Sequence, residues 1–167
     1  MRILGIDPGL QRTGYGVIDT DAAPGAGRLR LIEAGLVRTT PGAALEARLA
    51  ELAEGLEAVL AEFRPDAVAV EQLYAHYKHP RTAILMGHAR GIAFLAAARA
   101  GLRVESYSAT RVKKALVGAG HASKMQVQRA VQSALGLRDL PEPPDVADAL
   151  AVALCHAHGG ARAAAKR

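Results

Sequence analysis

The sequence predicts an α/β protein: a mixed sheet of about five strands with helices on both faces. Three observations carry this. Short apolar runs rich in Val, Ile and Leu are set among longer segments whose apolar residues recur every three and four positions. Three strands come first, and strands then alternate with helices, in the order β-β-β-α-β-α-β-α-α-α. Half of the 167 residues are hydrophobic and 22% are charged, which suits one globular domain with a real core.

Residues 2–7 are an apolar run that stops at the turn signal Asp7-Pro8-Gly9. Residues 13–19 follow as a second strand, joined to the first by a hairpin. Residues 21–27 are Ala, Pro and Gly with one Asp, a loop, and residues 29–39 are a third strand. The spacing of Leu45, Leu49, Leu52, Leu56, Val59, Leu60 and Phe63 predicts a helix over 43–63 with one buried stripe, ended by Pro65.

Residues 66–71 suit a buried strand beside the first. After a loop at 72–80, a helix is predicted over 81–99. Gly87 and Gly91 share a face of it and cost helix stability, about 1 kcal/mol each relative to Ala. Close packing would explain that cost, against a neighbouring subunit or inside the monomer. Residues 102–107 are a fifth strand. Helices are predicted over 108–118 and 123–135, with Ser123 as an N-cap and Val127, Ala130, Val131 and Ala134 buried. A last helix spans 145–157. A single domain is thus expected over residues 1–158, with 159–167 as a flexible basic tail.

The net charge is +5, unevenly spread. Residues 103–132 hold six Lys and Arg against Glu105 alone, whereas residues 42–66 hold six acids against Arg48 and Arg64. A basic flank of this kind suits a polyanion, although a solvated pair of basic helices would look the same. The single cysteine, Cys155, excludes an internal disulfide. The opening residues read as a strand rather than a leader, and no apolar run reaches the ~18 residues of a membrane span, so a cytoplasmic protein is expected.

The acids suggest chemistry. Asp7 closes the first strand and Glu71 the fourth; if these strands are parallel neighbours, both side chains emerge at one carboxyl edge, where open α/β sheets bind ligands. Asp145 and Asp148 stand three apart at the start of the last helix and share a face. Bare carboxylates brought together repel, and a divalent cation removes that penalty. Mg²⁺ and Mn²⁺ suit oxygen ligands, and paired ions ~3.5–4 Å apart support phosphodiester hydrolysis. Each acid alone also has an ordinary use: a turn for Asp7, a solvent-facing strand end for Glu71, a helix cap or dipole partner for Asp145 and Asp148.

Taken together, the motifs resemble the RuvC family of Holliday-junction resolvases. The likeness runs from Gly5-Ile6-Asp7-Pro8-Gly9 and Thr13-Gly14-Tyr15-Gly16 through Glu71-Gln72 and Gly87-His88-Ala89-Arg90-Gly91. It continues in Val117-Gly118-Ala119-Gly120 with Lys124, Gln126, Val127 and Gln128, and ends in Asp145-Val146-Ala147-Asp148-Ala149-Leu150. The resemblance covers roughly residues 2–158. It implies a ribonuclease H-like fold and a homodimeric endonuclease that resolves four-way DNA junctions with symmetrical nicks, in recombination and repair. It also implies Mg²⁺ or Mn²⁺, two ions per subunit, and partnership with the RuvA–RuvB branch-migration complex. By matching position, the catalytic and metal-binding acids are Asp7, Glu71, Asp145 and Asp148.

Lys113 and Lys124 match basic residues that act near the scissile phosphate or the DNA backbone. The family commonly has Phe where this chain has Tyr74; its ring can stack on an unpaired base, worth ~1–3 kcal/mol in single-strand binders. Residues 75–79, with Tyr77 and Lys78, read as a DNA-facing loop. Arg81, Arg111, Lys114 and Gln128 complete the candidate DNA contacts, which set position more than sequence. Three alternatives stand beside this reading: a phosphate-binding module of the actin and sugar-kinase class, a non-catalytic nucleic-acid binder, and a nuclease of the same fold acting on RNA or RNA–DNA hybrids. The first lacks a second domain to clamp a nucleotide, and the second should not retain four mutually repelling acids.

Overall fold

A computed structural model describes residues 1–20, 29–73 and 80–164, with side chains to residue 159. All ten expected elements are present in the expected order. The strands are β1 (Arg2–Asp7), β2 (Arg12–Thr20), β3 (Leu29–Arg38), β4 (Ala67–Glu71) and β5 (Val104–Tyr107). The helices are α1 (Leu45–Phe63), α2 (Pro80–Arg99), α3 (Ala109–Val117), α4 (Lys124–Leu135) and α5 (Pro144–Ala164).

The sheet order is β3-β2-β1-β4-β5. β3, β2 and β1 are antiparallel neighbours, whereas β1, β4 and β5 run parallel. The placement of β4 beside β1, expected from its apolar run, holds. Two cores cover the two faces. Ile3, Ile18, Ala69 and Tyr107 pack with α3, α4 and α5; Leu4, Ile6, Val68 and Val70 pack with α1 and α2. This alternation is the period-two signature of strands buried on both sides.

What brings α5 to the sheet is the absence of side chains beneath it. A Cβ on Gly5 would overlap the Ala149 carbonyl oxygen and meet the Ala153 nitrogen at 2.8 Å, and one on Gly14 would overlap the Asp145 carbonyl. A Cβ on Gly16 meets first the Leu150 side chain, at 2.5 Å, with the Leu150 Cα farther off at 3.3 Å. Gly5→Ala is therefore expected to cost more than about 3 kcal/mol, because a backbone carbonyl cannot rotate away, and Gly16→Ala clearly less. Urea unfolding of both variants checks this; equal losses would contradict the close-approach account.

Several local expectations are revised. Asp145 is the second residue of α5, inside the helix rather than its cap. α5 continues past residue 157 to Ala164, through two glycines into Ala161-Arg162-Ala163-Ala164, a run of high helix propensity. Ala134 is exposed, while Val127 and Val131 are buried as expected. In α2 it is Ala89, Ala93, Ala96 and Ala97 that pack, and Gly91 has nothing within 4 Å of a built Cβ. The exposed Ile84 and Leu95 lie on that same open side. Ser123 does cap α4, in a capping box with Gln126. Among the described residues no helix is long and apolar enough to cross a membrane.

Candidate active site

Asp7 is the last residue of β1, and Glu71 the last of β4. The parallel ladder pairs Ile6 with Val70, so the two acids follow at neighbouring strand ends, on the face covered by α5. α5 begins at the same edge, since Gly14, the ladder partner of Asp7, lies against the backbone of Asp145. One more turn of helix places Asp148 on the same side. The four acids line one pocket of about 340 Å³, together with Pro8, Gln72, Leu73, Met86, Ala109 and Lys124.

The electrostatics follow from this crowding. Asp7 is pushed up to about 8, first by burial and then by the charges of Glu71, Asp148 and Asp145, with Lys124 opposing. Glu71 is pushed up to about 7 by burial and by Asp148, against Lys124 and Lys113. Asp148 is raised by burial, a shift moderated by Lys124 and Lys113 and reinforced by Asp145. Among the described residues no three His, Cys, Asp or Glu side chains stand as a ready-made ligand group for one ion. The acids surround the pocket without closing into a shell, as mutually repelling carboxylates do. Their donor set is all oxygen, which fits a hard divalent cation and offers nothing to a soft one.

The other sequence candidates are distributed around this pocket. Lys124, at the start of α4, lines it, and Lys113 on α3 acts on Glu71 and Asp148 through its charge. Arg111 is occupied elsewhere: its guanidinium lies 4.7 Å from the ring centroid of Tyr107, whose hydroxyl is hydrogen-bonded to His156 Nδ1 at 2.9 Å. Arg81 and Lys114 are exposed and Gln128 is half-buried. Gln132, one turn beyond Gln128 on α4, donates to the Arg138 carbonyl at 3.1 Å. Tyr74, Tyr77 and Lys78 lie outside the described residues.

Sequence reasoning missed the apolar wall of Leu73, Met86 and Ala109, and it missed Arg12. The Arg12 Nε stands 3.8 Å from Asp145 Oδ2, tying the start of β2 to the acid cluster. The signal available was the hairpin: a strand that turns back at Asp7-Pro8-Gly9 returns its next charged residue to the same edge.

A family model described as Crossover junction endodeoxyribonuclease RuvC matches residues 3–156. The chain belongs to this RuvC family. A RuvC relative from Rhodopirellula baltica is 53% identical over 153 residues, 92% of this chain and 84% of that protein. The Thermus thermophilus RuvC structure superposes with a TM-score of 0.89 at 39% identity, covering 98% of this chain and 97% of that one. A structure of T. thermophilus RuvC in complex with Holliday junction substrate also gives a TM-score of 0.89, at 37% identity over 98% and 96% of the two chains. The ribonuclease H-like fold implied by the motifs therefore holds, and this RuvC family member is a nuclease.

Proposed function

We propose that this RuvC enzyme resolves four-way DNA junctions by divalent-metal-dependent phosphodiester hydrolysis, with Asp7, Glu71, Asp145 and Asp148 as its metal-binding and catalytic acids. The observation that carries the reading is the shared pocket in which burial and mutual repulsion push Asp7 to about 8 and Glu71 to about 7. Carboxylates held at such a disadvantage gain from bound positive charge, which a divalent cation can bring to several of them at once. Mg²⁺ or Mn²⁺, two ions per subunit, would supply the Lewis-acid stabilisation of charge that in-line hydrolysis of a phosphodiester needs.

The chain's own residues then have separable tasks. Asp7 and Glu71 project from rigid strand ends, so their oxygens are placed before substrate arrives. Asp145 and Asp148 approach from the first turns of α5, whose distance from the sheet is set by Gly5 and Gly14. Lys124 and Lys113 balance the acids from the side and offer positive charge to a phosphate. Leu73, Met86 and Ala109 form an apolar wall that limits water around the acids.

Symmetrical nicking needs two such pockets, and we assign the second to another copy of the chain. The open side of α2, with Gly87, Gly91, Ile84 and Leu95 exposed, supports α2 as the contact between copies. Partnership with RuvA–RuvB and a cytoplasmic location follow from the same family reading. An incision assay on a four-way junction, a linear duplex and an RNA–DNA hybrid, with and without chelator, tests the function. Metal-dependent nicks on the junction are expected at a rate at least about tenfold above the other two, a difference of about 1.4 kcal/mol in barrier. Equal cutting of junction and duplex would remove the junction assignment and leave a nuclease; preferential cutting of the hybrid would move the substrate to RNA.

A further inference from the structure

Arg12 and Arg38 are directly opposite one another across the antiparallel β2–β3 pair. Residues so placed share a face and have Cβ atoms about 4.5–5.5 Å apart, and like charges there are unfavourable for the sheet. Both side chains are exposed. Their face is the one covered by α5: Leu36, two residues before Arg38, packs into that core, and Gly14, two after Arg12, lies against Asp145. Arg12 reaches the pocket rim, with its Nε 3.8 Å from Asp145 Oδ2. Arg38 has no ion-pair or hydrogen-bond partner for its guanidinium among the described residues. Asp145 meets the charge of Arg12 alone, and among the described residues Arg38 is left without an acid of its own.

The backbone that carries these arginines is unusually well fixed. Among the described residues the buried polar side chains are Thr13 and Thr39, each immediately following one of the two arginines. The Thr13 hydroxyl accepts from the Gly9 amide at 3.2 Å and donates to the Gly9 carbonyl at 2.7 Å. The Thr39 hydroxyl donates to the Leu10 carbonyl at 2.7 Å and accepts from Arg48 Nε at 3.1 Å, and the Thr39 amide donates to the Gln11 carbonyl at 3.3 Å. A buried hydroxyl is costly unless satisfied, and both satisfied ones serve this corner. The corner is therefore preorganised, holding two like charges side by side at the end of the β2–β3 pair.

We propose that Arg12 and Arg38 form a two-guanidinium seat for one backbone phosphate of the DNA strand that enters the acidic pocket, on its β2–β3 side. A phosphate between them offsets their repulsion, and guanidinium forks match its oxygens. Adjacent strands lie about 4.8 Å apart and each residue advances about 3.4 Å, so the seat lies one to two strands across from Asp7 and two residues beyond its ladder partner Gly14. That places it beside the pocket, where it would fix the register of the strand rather than touch the bond that breaks. This DNA contact comes from the hairpin, independent of the basic helices α3 and α4. It rests on junction DNA being the substrate.

The test uses the full chain in an Asp7→Asn background, so that bound DNA stays uncut, and a labelled synthetic junction titrated over a range of salt. Arg12→Ala/Arg38→Ala is expected to bind roughly tenfold more weakly at moderate salt and to lose about 0.9 from the slope of log affinity against log salt, the signature of one lost phosphate contact. Arg12→Lys/Arg38→Lys, which keeps both charges, is expected to retain the slope. Parallel slopes for the Ala double variant and its background would overturn the seat. So would a lowered melting temperature with an unchanged slope, which would make the pair part of the fold. Because the background protein's own junction affinity is read in the same titration, loss of the seat and loss of the junction reading are distinct results.

Discussion

Asp7→Asn is expected to slow junction incision by three orders of magnitude or more, roughly 4 kcal/mol of barrier, while junction affinity stays within about threefold of the parent. Asn keeps the shape of the side chain and can fill the same space against α5, but it brings no negative charge to a cation. Asp7 is the acid on which the other three act: Glu71, Asp148 and Asp145 all raise its affinity for a proton. Burial and these neighbouring charges leave that group in most need of bound positive charge, and below about pH 8 a divalent ion must compete for it with a proton. Incision and gel-shift measurements on the same preparation separate the two effects. If a well-folded Asp7→Asn protein lost binding and incision together, this carboxylate would be a DNA contact and not the core of the catalytic centre.

The second large effect is on stability. Asp7 is raised from 3.8 to about 8 and Glu71 from 4.5 to about 7, so the folded protein binds these protons more tightly than the unfolded chain does. Stability from such groups is fully present below the unfolded pKa, near 4, and is lost as pH rises through the folded values of about 7 and about 8. Each tenfold change in a group's proton affinity on folding is worth about 1.4 kcal/mol. In chelator at pH 8, Asp7→Asn should therefore unfold at higher temperature than the parent, with a stability gain of at least about 2 kcal/mol, and the difference should shrink towards pH 4. Mg²⁺ should raise the parent's melting temperature and leave the variant nearly unmoved. Melting curves across pH 4–9, with and without Mg²⁺, check this. Superimposable parent and variant curves would mean that the acids do not strain the fold.

Much of this architecture was readable in the residues because local rules sufficed. The stripe from Leu49 to Phe63, the capping residues Ser123 and Gln126, and the apolar run before Glu71 each specify an element from its own composition. The convergence of Asp7 and Glu71 needed only one further step, that β4 lies parallel to β1. What was not readable depends on partners distant in sequence. Gly87 and Gly91 left close packing open inside the monomer or against a neighbouring subunit; within the monomer the close packing falls at Gly5 and Gly14, because it is α5 and not α2 whose backbone meets the sheet directly. Arg111 looked like one more member of a basic stretch, and its stacking on Tyr107 depends on where β5 ends. Arg12 stood outside that stretch, and only hairpin register brings it to Asp145 and beside Arg38. Asp145 looked like a cap because it follows Pro144, yet the helix begins at that proline. Its carboxylate is therefore carried on the helix wall, facing the strand ends.

The most direct test of the account is a Mn²⁺ titration of the full chain bound to a junction made with non-hydrolysable backbone linkages, followed by electron paramagnetic resonance of the free ion. It should compare the parent with Asp7→Asn, Glu71→Gln, Asp145→Asn and Asp148→Asn. If the four carboxylates act on a common cation site, the parent takes up Mn²⁺ and each amide variant binds it at least about tenfold more weakly, a loss of about 1.4 kcal/mol. Parent-like Mn²⁺ affinity in all four variants would contradict it.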